Sequence, residues 1–442
     1  MAKVVIVGAT KTGKSIHNFL NFLKIPHSIV DTREEINFEI RSSDSFLKSV
    51  LFGKESVMQA IEEADELYFT PGFNRSNIQI PSKKIKSELN LLLSYTKSFS
   101  IGITGTNGKS TVCYLLSQLL NILNIPNRII GNFGEPMLNS FFESSTNEVL
   151  IIELSSFQLQ DSSYSSFSEN LGLDISIFTN FSADHLDQHS TISEYLDSKR
   201  GIQKKLKKQG VYLFNKLDNQ TYPLLEEVNS CRSINSEDFN FNIVKESTEF
   251  VFRDTVIGIS NKRFSKANLD NILFALAAIY EVVTRKKVSA PWPINLDSLK
   301  FLEFRMEVVR SDSILIVNDS KSTNPHSTYA AIKEFRRSHD RFILILGGDS
   351  KGLKFDESLL DLDVNSQCLI YGKDAERIHQ QINHSSKRLF DNLEEVVKEI
   401  KLQKLTEATI LFSPGCSSKD QFLDYVDRGR KFNNLLRDSG LI

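Results

Sequence analysis

The run SIGITGTNGKSTVCYLLSQLL, residues 100–120, constrains the fold more than any other stretch. An apolar, strand-like segment ends in a glycine-bearing turn, and the turn opens directly into an amphipathic helix. Strand, loop and helix in that order begin a β-α-β unit, whose parallel strands need helices over both faces of the sheet. The loop also implies a ligand. Backbone N–H groups of Gly105, Thr106, Asn107 and Gly108 lie at a helix N-terminus and suit phosphate oxygens, continuing into Thr111. Lys109 is placed to reach the β- and γ-phosphates, and Ser110 to ligate Mg2+. The strict G-x-x-x-x-G-K-[ST] pattern is not met, because Ile103 stands where its first glycine belongs. The bland alternative is a glycine turn before an ordinary helix. The flanking strand and helix favour a nucleoside triphosphate.

The same alternation recurs along the chain. KVVIVG precedes a helical stripe at Ile16, Phe19, Leu20 and Leu23, and then HSIVDT. ELYFT, VLIIEL, DISIFTN, VYLFN, ILIVND, FILILGG, CLIYG and TILFSPG read as further strands. From Arg232 to Phe264 the pattern is less clean, as in a small antiparallel insertion or edge. The β-α series restarts near Phe99 and again after SAPWPINLDSLKFLEFR. The expectation is an α/β protein of three domains, 1–97, 98–298 and 299–442, each with a mainly parallel sheet flanked by helices.

Charge and cysteine usage narrow the function. A formal net charge of −2 gives no basic surface for nucleic acid. Cys113, Cys231, Cys368 and Cys416 are far apart in sequence, so neither a disulfide framework nor a zinc knuckle is indicated, and a reducing compartment fits. MAKVVIVGAT reads as strand and turn rather than a signal peptide. No apolar run approaches the ~20 residues of a membrane helix. A soluble, cytoplasmic, monomeric protein is expected.

Polar, glycine-rich or acidic residues follow the strands: GATKTG, DTR, TPG, GTNGKST, ELSS, TNFSADH, NDSKSTN, GGDSKG and SPGCSS. Open parallel sheets bind ligands beyond the carboxyl ends of their strands. GATKTG imitates a dinucleotide fingerprint, but Thr10 occupies the middle glycine position. With Asp31 in VDTR, a nucleoside diphosphate ligand fits better than a nicotinamide one. Glu153 ends a strand, where it can hold Mg2+ or its water shell. It can equally be a solvated strand-end acid. TNFSADHLDQH offers Asp184, His185, Asp187 and His189, with one metal ligand favoured over a zinc pair. In ISEYLDSKRGIQKKL, helical spacing puts Lys199 on the face of Ile192, Tyr195, Leu196, Ile202 and Leu206, and Lys204, Lys205 and Lys208 on the polar side. Two readings of Lys199 stand. Its stem snorkels, or its amine is desolvated and reactive, able to take up CO2 as a metal-binding carbamate.

GITGTNGKST, IGNFGEPML, IIELSSFQL, NDSKSTNP, LGGDSKG and SPGCSSKDQF together resemble the ATP-dependent Mur ligases, over nearly the whole chain. That family's own loop, G-x-x-G-T-x-G-K-[ST], accounts for the displaced glycine. The last three pieces fit the branch that joins D-glutamate to UDP-N-acetylmuramoyl-L-alanine, and no D-N-P-R segment of the diaminopimelate branch occurs. The resemblance implies a Rossmann-like N-terminal domain for the UDP-linked substrate, a P-loop ATPase-like central domain, and a Rossmann-like C-terminal domain for the amino acid. It implies that Thr10, Lys11, Thr12, Asp31, Thr32, Arg33, Thr70, Pro71 and Gly72 hold uridine and pyrophosphate, and that Asn132, Ser155 and Gln158 face the muramoyl-alanine part. Two Mg2+ ions are implied, one on Ser110 and Glu153, the other on His185 and a carbamylated Lys199. Asn268, Asn271, Arg305 and Asp319 would contact ATP. Lys321, Thr323, Lys351, Ser418, Lys419 and Tyr425 would surround the D-glutamate carboxylates. Three positions depart from the family: Ala267, where histidine is frequent, Phe304, again in place of histidine, and Lys419, in place of leucine. Two rivals remain: a folylpolyglutamate synthetase-like ligase, which would start near the phosphate loop, and a P-loop nucleotide switch acting without an acceptor.

Overall fold

Val4–Val7 is four consecutive valine or isoleucine residues, all buried, as a strand covered on both faces must be. Val4 and Ile6 point into one core, and Val5 and Val7 into another, by the two-residue alternation of a strand. In the computed structural model, the described residues are all but 1, 34–44, 71, 72, 74, 76, 77, 144–146, 165–170, 183–188, 190, 225–227, 245, 246, 263, 312, 337–340, 357–359 and 361. Pro71, Gly72, Asp184, His185 and Asp187 therefore lie outside the described residues.

Around Val4–Val7 a five-stranded parallel sheet runs Leu47–Phe52, His27–Asp31, Val4–Val7, Glu66–Phe69, Ile85–Lys86. Strand order reverses between Val4–Val7 and Glu66–Phe69, and the crevice at their carboxyl ends lies between Gly8 and Thr70. A ten-stranded sheet follows. Its parallel part runs Asn127–Gly131, Val149–Glu153, Phe99–Thr104, Leu173–Phe178, Leu206–Asn215, Cys231–Ile234. It continues through Phe239–Val244, Ser247–Phe252 and Thr255–Ser260, an antiparallel meander in the stretch read as a small antiparallel insertion or edge, to Ile294–Asn295. The third sheet runs Glu307–Ser311, Ile314–Asn318, Ala408–Phe412, Phe342–Gly347, Ser366–Tyr371, Lys387–Phe390, with only the first strand antiparallel.

The chain forms two compact units, with the main boundary between Leu299 and Lys300 and the short stretch Ser265–Ala267 grouping with the second. The first two sheets belong to one unit and share a core. Ile6, Phe19 and Leu20 of the N-terminal layer join Leu89, Leu92 and Leu93 of the helix Glu88–Tyr95, and these join Met137, Leu138, Ile152 and Leu159 of the central layer. The second unit encloses the third sheet, with Val317, Leu344 and Leu346 on one face and Ile316, Ile343 and Ile345 on the other.

Two helices differ from the sequence reading. Lys266–Lys286 is long and apolar enough, by length and composition, to cross a membrane, but 67% of its most apolar window is buried as a core helix. Ile192–Arg200 stops six residues short of Leu206, because Gln203–Lys205 forms a 3-10 turn and Leu206 begins the next strand. The turn breaks the helical spacing, so Lys205 is buried rather than on the polar side; Ile192, the first residue of the helix, is exposed.

Leu92 is 1% exposed in the shared core. Leu92→Ala should lower the stability of the first unit by about 2–5 kcal/mol. Guanidinium unfolding of wild type and variant checks this; an unchanged midpoint would mean that the two layers are not joined there.

Candidate active site

The phosphate loop is built by close approach. Gly105 has φ +147°, and a Cβ on it would lie 1.9 Å from Thr179 Oγ1, so no other residue fits. The residues after Leu173–Phe178 brace the loop. Thr106 N–H donates to Asn180 O (2.9 Å) and Asn107 N–H to Asn180 Oδ1 (3.0 Å). The Thr179 hydroxyl and Asn180 amide both donate to Asn107 O, at 2.6 and 3.1 Å. Sequence reasoning missed Thr179 and Asn180. Their signal was the TN of TNFSADH, overshadowed by the acids and histidine after it. Gly108, at φ +84°, caps the helix Lys109–Ile122, and Asn271 Oδ1 lies 2.5 Å from where its Cβ would be. The structure thus brings Asn271 to the loop. Ser110 and Thr111 are buried in the first turn, and Asn268 lies one turn before Asn271 on the helix Lys266–Lys286.

Two ammonium groups converge on this loop. Lys109 Nζ donates to Gly105 O (2.8 Å) and Thr106 O (2.9 Å), and Lys199 Nζ also donates to Gly105 O (2.8 Å). Lys199 is 2% exposed, so its head does not reach solvent. Its ammonium sits 4.5 Å from the centroid of Tyr195, whose hydroxyl is 3.4 Å from Thr106 Oγ1. His189 is buried, stacked on Phe157 at 4.9 Å with Nε2 2.9 Å from Ser156 Oγ.

Glu153 pairs in register with Ile103 on the strand that leads into the loop. It is buried; Oε1 accepts from Asn132 Nδ2 (2.9 Å), and among the described residues Oε2 accepts no hydrogen bond. A buried carboxylate oxygen left open suits a cation or its water, so the solvated-acid reading does not hold. Ser155 and Gln158 form a capping box at the start of the helix Ser156–Ser163, Ser155 Oγ and N–H both donating to Gln158 Oε1 at 2.9 Å. Among the described residues no three of His, Cys, Asp and Glu gather into a metal-binding group.

At the N-terminal crevice, a Cβ on Gly8 (φ +110°) would lie 2.0 Å from Thr70 Oγ1. Thr10 caps the helix Lys11–Phe22, accepting from Gly13 N–H, with Thr12 in its first turn. Asp31 accepts from Ala9 N–H (2.6 Å) and, on Arg33, from N–H (2.9 Å), Nε (2.9 Å) and Nη2 (2.7 Å). The Arg33 hydrogen bond chiefly holds the Asp31 carboxyl down at about 2, against its burial. With four donors engaged, Asp31 braces the glycine loop and fixes Arg33. Thr32 and Arg33 are exposed at the strand end.

In the second unit, strand-end loops are zipped together. Asp349 and Ser417 exchange main-chain hydrogen bonds of 3.0 and 2.8 Å, bringing Lys351 and Ser418 onto adjoining loops. Lys321 Nζ lies 4.1 Å over the Tyr425 ring. Arg428, wholly buried and absent from the sequence reading, donates to Ser320 Oγ (3.0 Å), Ser320 O (2.7 Å) and Cys416 O (3.0 Å). It staples the loops before Lys321 and Ser418 to the helix Tyr425–Asp438, and nothing in DRGRKF distinguished it from a surface cation. Thr323 is half-buried, and Lys351 and Lys419 are exposed. Phe304, at φ +59°, packs where Gly429 has no side chain, a Cβ there lying 2.4 Å from its ring. Asp319 accepts from Ser413 Oγ (2.8 Å) and Met306 N–H (3.1 Å), next to Arg305. Burial pushes its carboxyl up to about 7, against those hydrogen bonds and the nearby Arg305 and Arg428.

Gly105→Ala should abolish nucleoside triphosphate binding by titration calorimetry. Asp319 keeps a proton in the folded state that the unfolded chain releases, so its contribution to stability falls as pH rises from 3.8 to about 7. Urea unfolding across that window should show a shallower pH slope for Asp319→Asn.

Comparison with known proteins shows what the chain is similar to. The family model of the Mur ligase middle domain matches residues 103–279, and that of the Mur ligase glutamate ligase domain matches residues 304–416. A protein named UDP-N-acetylmuramoylalanine–D-glutamate ligase from Buchnera aphidicola subsp. Baizongia pistaciae is 30% identical, over 99% of this chain and 98% of its own. A protein of the same name from Pseudomonas fluorescens is 28% identical, over 98% and 97%. Among solved structures, the MurF ligase of Thermotoga maritima in complex with ADP superposes with TM-score 0.59 at 16% identity, over 93% of this chain and 88% of that one. The UDP-N-acetylmuramate-alanine ligase of the same organism gives 0.57 at 14% identity, over 99% and 100%. At these identities the structural likeness establishes the shared fold.

Proposed function

The chain belongs to the Mur ligase family, and from that premise we propose that it adds D-glutamate to UDP-N-acetylmuramoyl-L-alanine, with ATP hydrolysis, in peptidoglycan precursor synthesis. The observation that carries the reading is the meeting of Lys109 and Lys199 on the Gly105 carbonyl, two residues beyond the Ile103–Glu153 register pair. Residues 1–97 hold the UDP-linked acceptor, 98–298 hold ATP, and 299–442 bring the amino acid. The protein acts as a cytoplasmic monomer.

The acceptor's terminal carboxylate attacks the γ-phosphorus, the bond to the β-phosphate oxygen breaks, and ADP leaves an acyl phosphate. The neutral amine of D-glutamate adds to that carbonyl, and the tetrahedral adduct expels phosphate as the nitrogen loses its proton. The first step forces an anion against an anion. Loop N–H groups from Gly105 to Gly108 hold phosphate oxygens, and Lys109, freed from the loop carbonyls, offsets their charge. Such a contact at ~4 Å is worth ~1 kcal/mol in water and several in a drier site. Asn268, Asn271, Arg305 and Asp319 hold the remainder of ATP. Ser110 and Glu153 suit one Mg2+, and His185 with a carbamylated Lys199 suits a second; bound there, the metal supplies charge neutralisation for the phosphoryl group. Asn132, Ser155 and Gln158 orient the muramoyl-alanine end, and the crevice from Thr10 to Thr12, Asp31 to Arg33 and Thr70 to Gly72 takes UDP. Lys321, Thr323, Lys351, Ser418, Lys419 and Tyr425 receive the two carboxylates of D-glutamate.

Phosphate release from ATP should require both UDP-N-acetylmuramoyl-L-alanine and D-glutamate. Release that ignores either would turn the reading into a nucleotide switch, and use of a pteridine-linked glutamate acceptor would turn it into the folate branch. Lys351→Ala should raise the KM for D-glutamate about 10- to 100-fold, the worth of one charge-assisted hydrogen bond, with the KM for ATP unchanged. Equal effects on both would remove Lys351 from the amino-acid site.

A further inference from the structure

Strand Glu66–Phe69 leads into a loop that carries Thr70, Phe73 and Arg75. Thr70 is buried against Gly8, and the Phe73 ring lies 5.6 Å from that of Phe69. The Arg75 guanidinium sits 4.8 Å over the Phe69 ring and reaches out of the N-terminal layer, where Nη2 is 2.7 Å from Asp161 Oδ1. The side chains are 19% and 11% exposed. Asp161 belongs to the helix Ser156–Ser163, whose N-terminus is the Ser155–Gln158 box.

The next residue of that helix is tied as well. Ser162 O accepts from Asn90 Nδ2 (3.0 Å) and from Lys205 Nζ, and Lys205 also reaches Asn90 Oδ1 (3.1 Å). An ammonium at the C-terminal carbonyls of a helix complements its dipole. The last turn is thus gripped from two sides, once by the strand-end loop and once by the helix Glu88–Tyr95.

A largely buried ion pair is weak evidence for stability, because desolvation consumes most of the attraction. What it supplies is a fixed distance between the groups that carry it. Here those groups are the loop beside Gly8 and the helix headed by Ser155.

We propose that Arg75 and Asp161 are positioning residues, holding the nucleotide end and the acyl end of the acceptor site in register so that one substrate molecule engages both. This rests on the function proposed above, in which the Thr70 side takes UDP and Ser155 and Gln158 face the muramoyl-alanine. A ligand held at two places gains because its second contact is intramolecular, and the gain depends on the spacing of the two places. Loosening the pair leaves each half-site intact and lowers that gain.

The test compares UDP with UDP-N-acetylmuramoyl-L-alanine by titration calorimetry on the full chain, using the double variant Arg75→Met/Asp161→Leu, which leaves neither charge buried alone. The acceptor should bind about tenfold more weakly, and UDP within about twofold of wild type. The melting temperature and the KM values for ATP and D-glutamate should hold. Arg75→Lys, whose one ammonium can remake a single-bond pair, should keep the acceptor within about threefold of wild type. Equal weakening of UDP and acceptor, no weakening of either, or a lysine variant as impaired as the double variant would overturn the inference. A wild-type chain that binds UDP and gains nothing from the muramoyl-alanine part would instead sink the functional reading, and this inference with it.

Discussion

Parallel strands must all be entered from the same end, so every loop leaving a carboxyl end gathers on one edge of its sheet. The site depends on that constraint. In the first unit it places GATKTG beside Thr70, and the phosphate loop beside Thr179 and Glu153. In the second it places the loops of Lys321, Lys351 and Ser418 side by side. Glycine then sets how close the loops come. Gly8, Gly105 and Gly348 each stand where a Cβ would meet an adjoining loop, at Thr70, Thr179 and Ser417, at 2.0, 1.9 and 2.3 Å.

Cations inside these edges share a habit. Lys109 donates to Gly105 O and Thr106 O, and Arg428 to Ser320 O and Cys416 O. A carbonyl satisfies a donor without cancelling its charge, so the field remains for an incoming anion. A ligase that brings an acceptor carboxylate against a triphosphate, with a dicarboxylate as the incoming amine, needs that arrangement. Asp31 and Arg33 are the contrast: two charges bound to each other, stiffening the loop at the switch point.

Much of the fold was legible because buried strands are continuous apolar runs. Val4–Val7, Val149–Glu153 and Phe342–Gly347 stand out on composition alone. Leu47–Phe52 and Lys387–Phe390 did not, since their half-exposed, mixed residues carry no such signal. Among site residues, Gly105 to Ser110 were legible because phosphate binding needs consecutive backbone groups, and consecutive groups form a motif. Arg428 and the Arg75–Asp161 pair were not, because their partners come from distant parts of the chain. Lys205 was misread, as a single 3-10 turn rotated it from the surface into the interior.

The order of strands and helices, the nucleotide loop and the family were set by the sequence alone, through local periodicity and contiguous motifs. Which lysines are buried, what Asp31 holds, and that Glu153 Oε2 accepts no hydrogen bond among the described residues were decided by the tertiary structure. The physical reason is that burial and hydrogen-bond satisfaction belong to pairs of groups brought together by packing, and no single position in the chain carries its partner's coordinates.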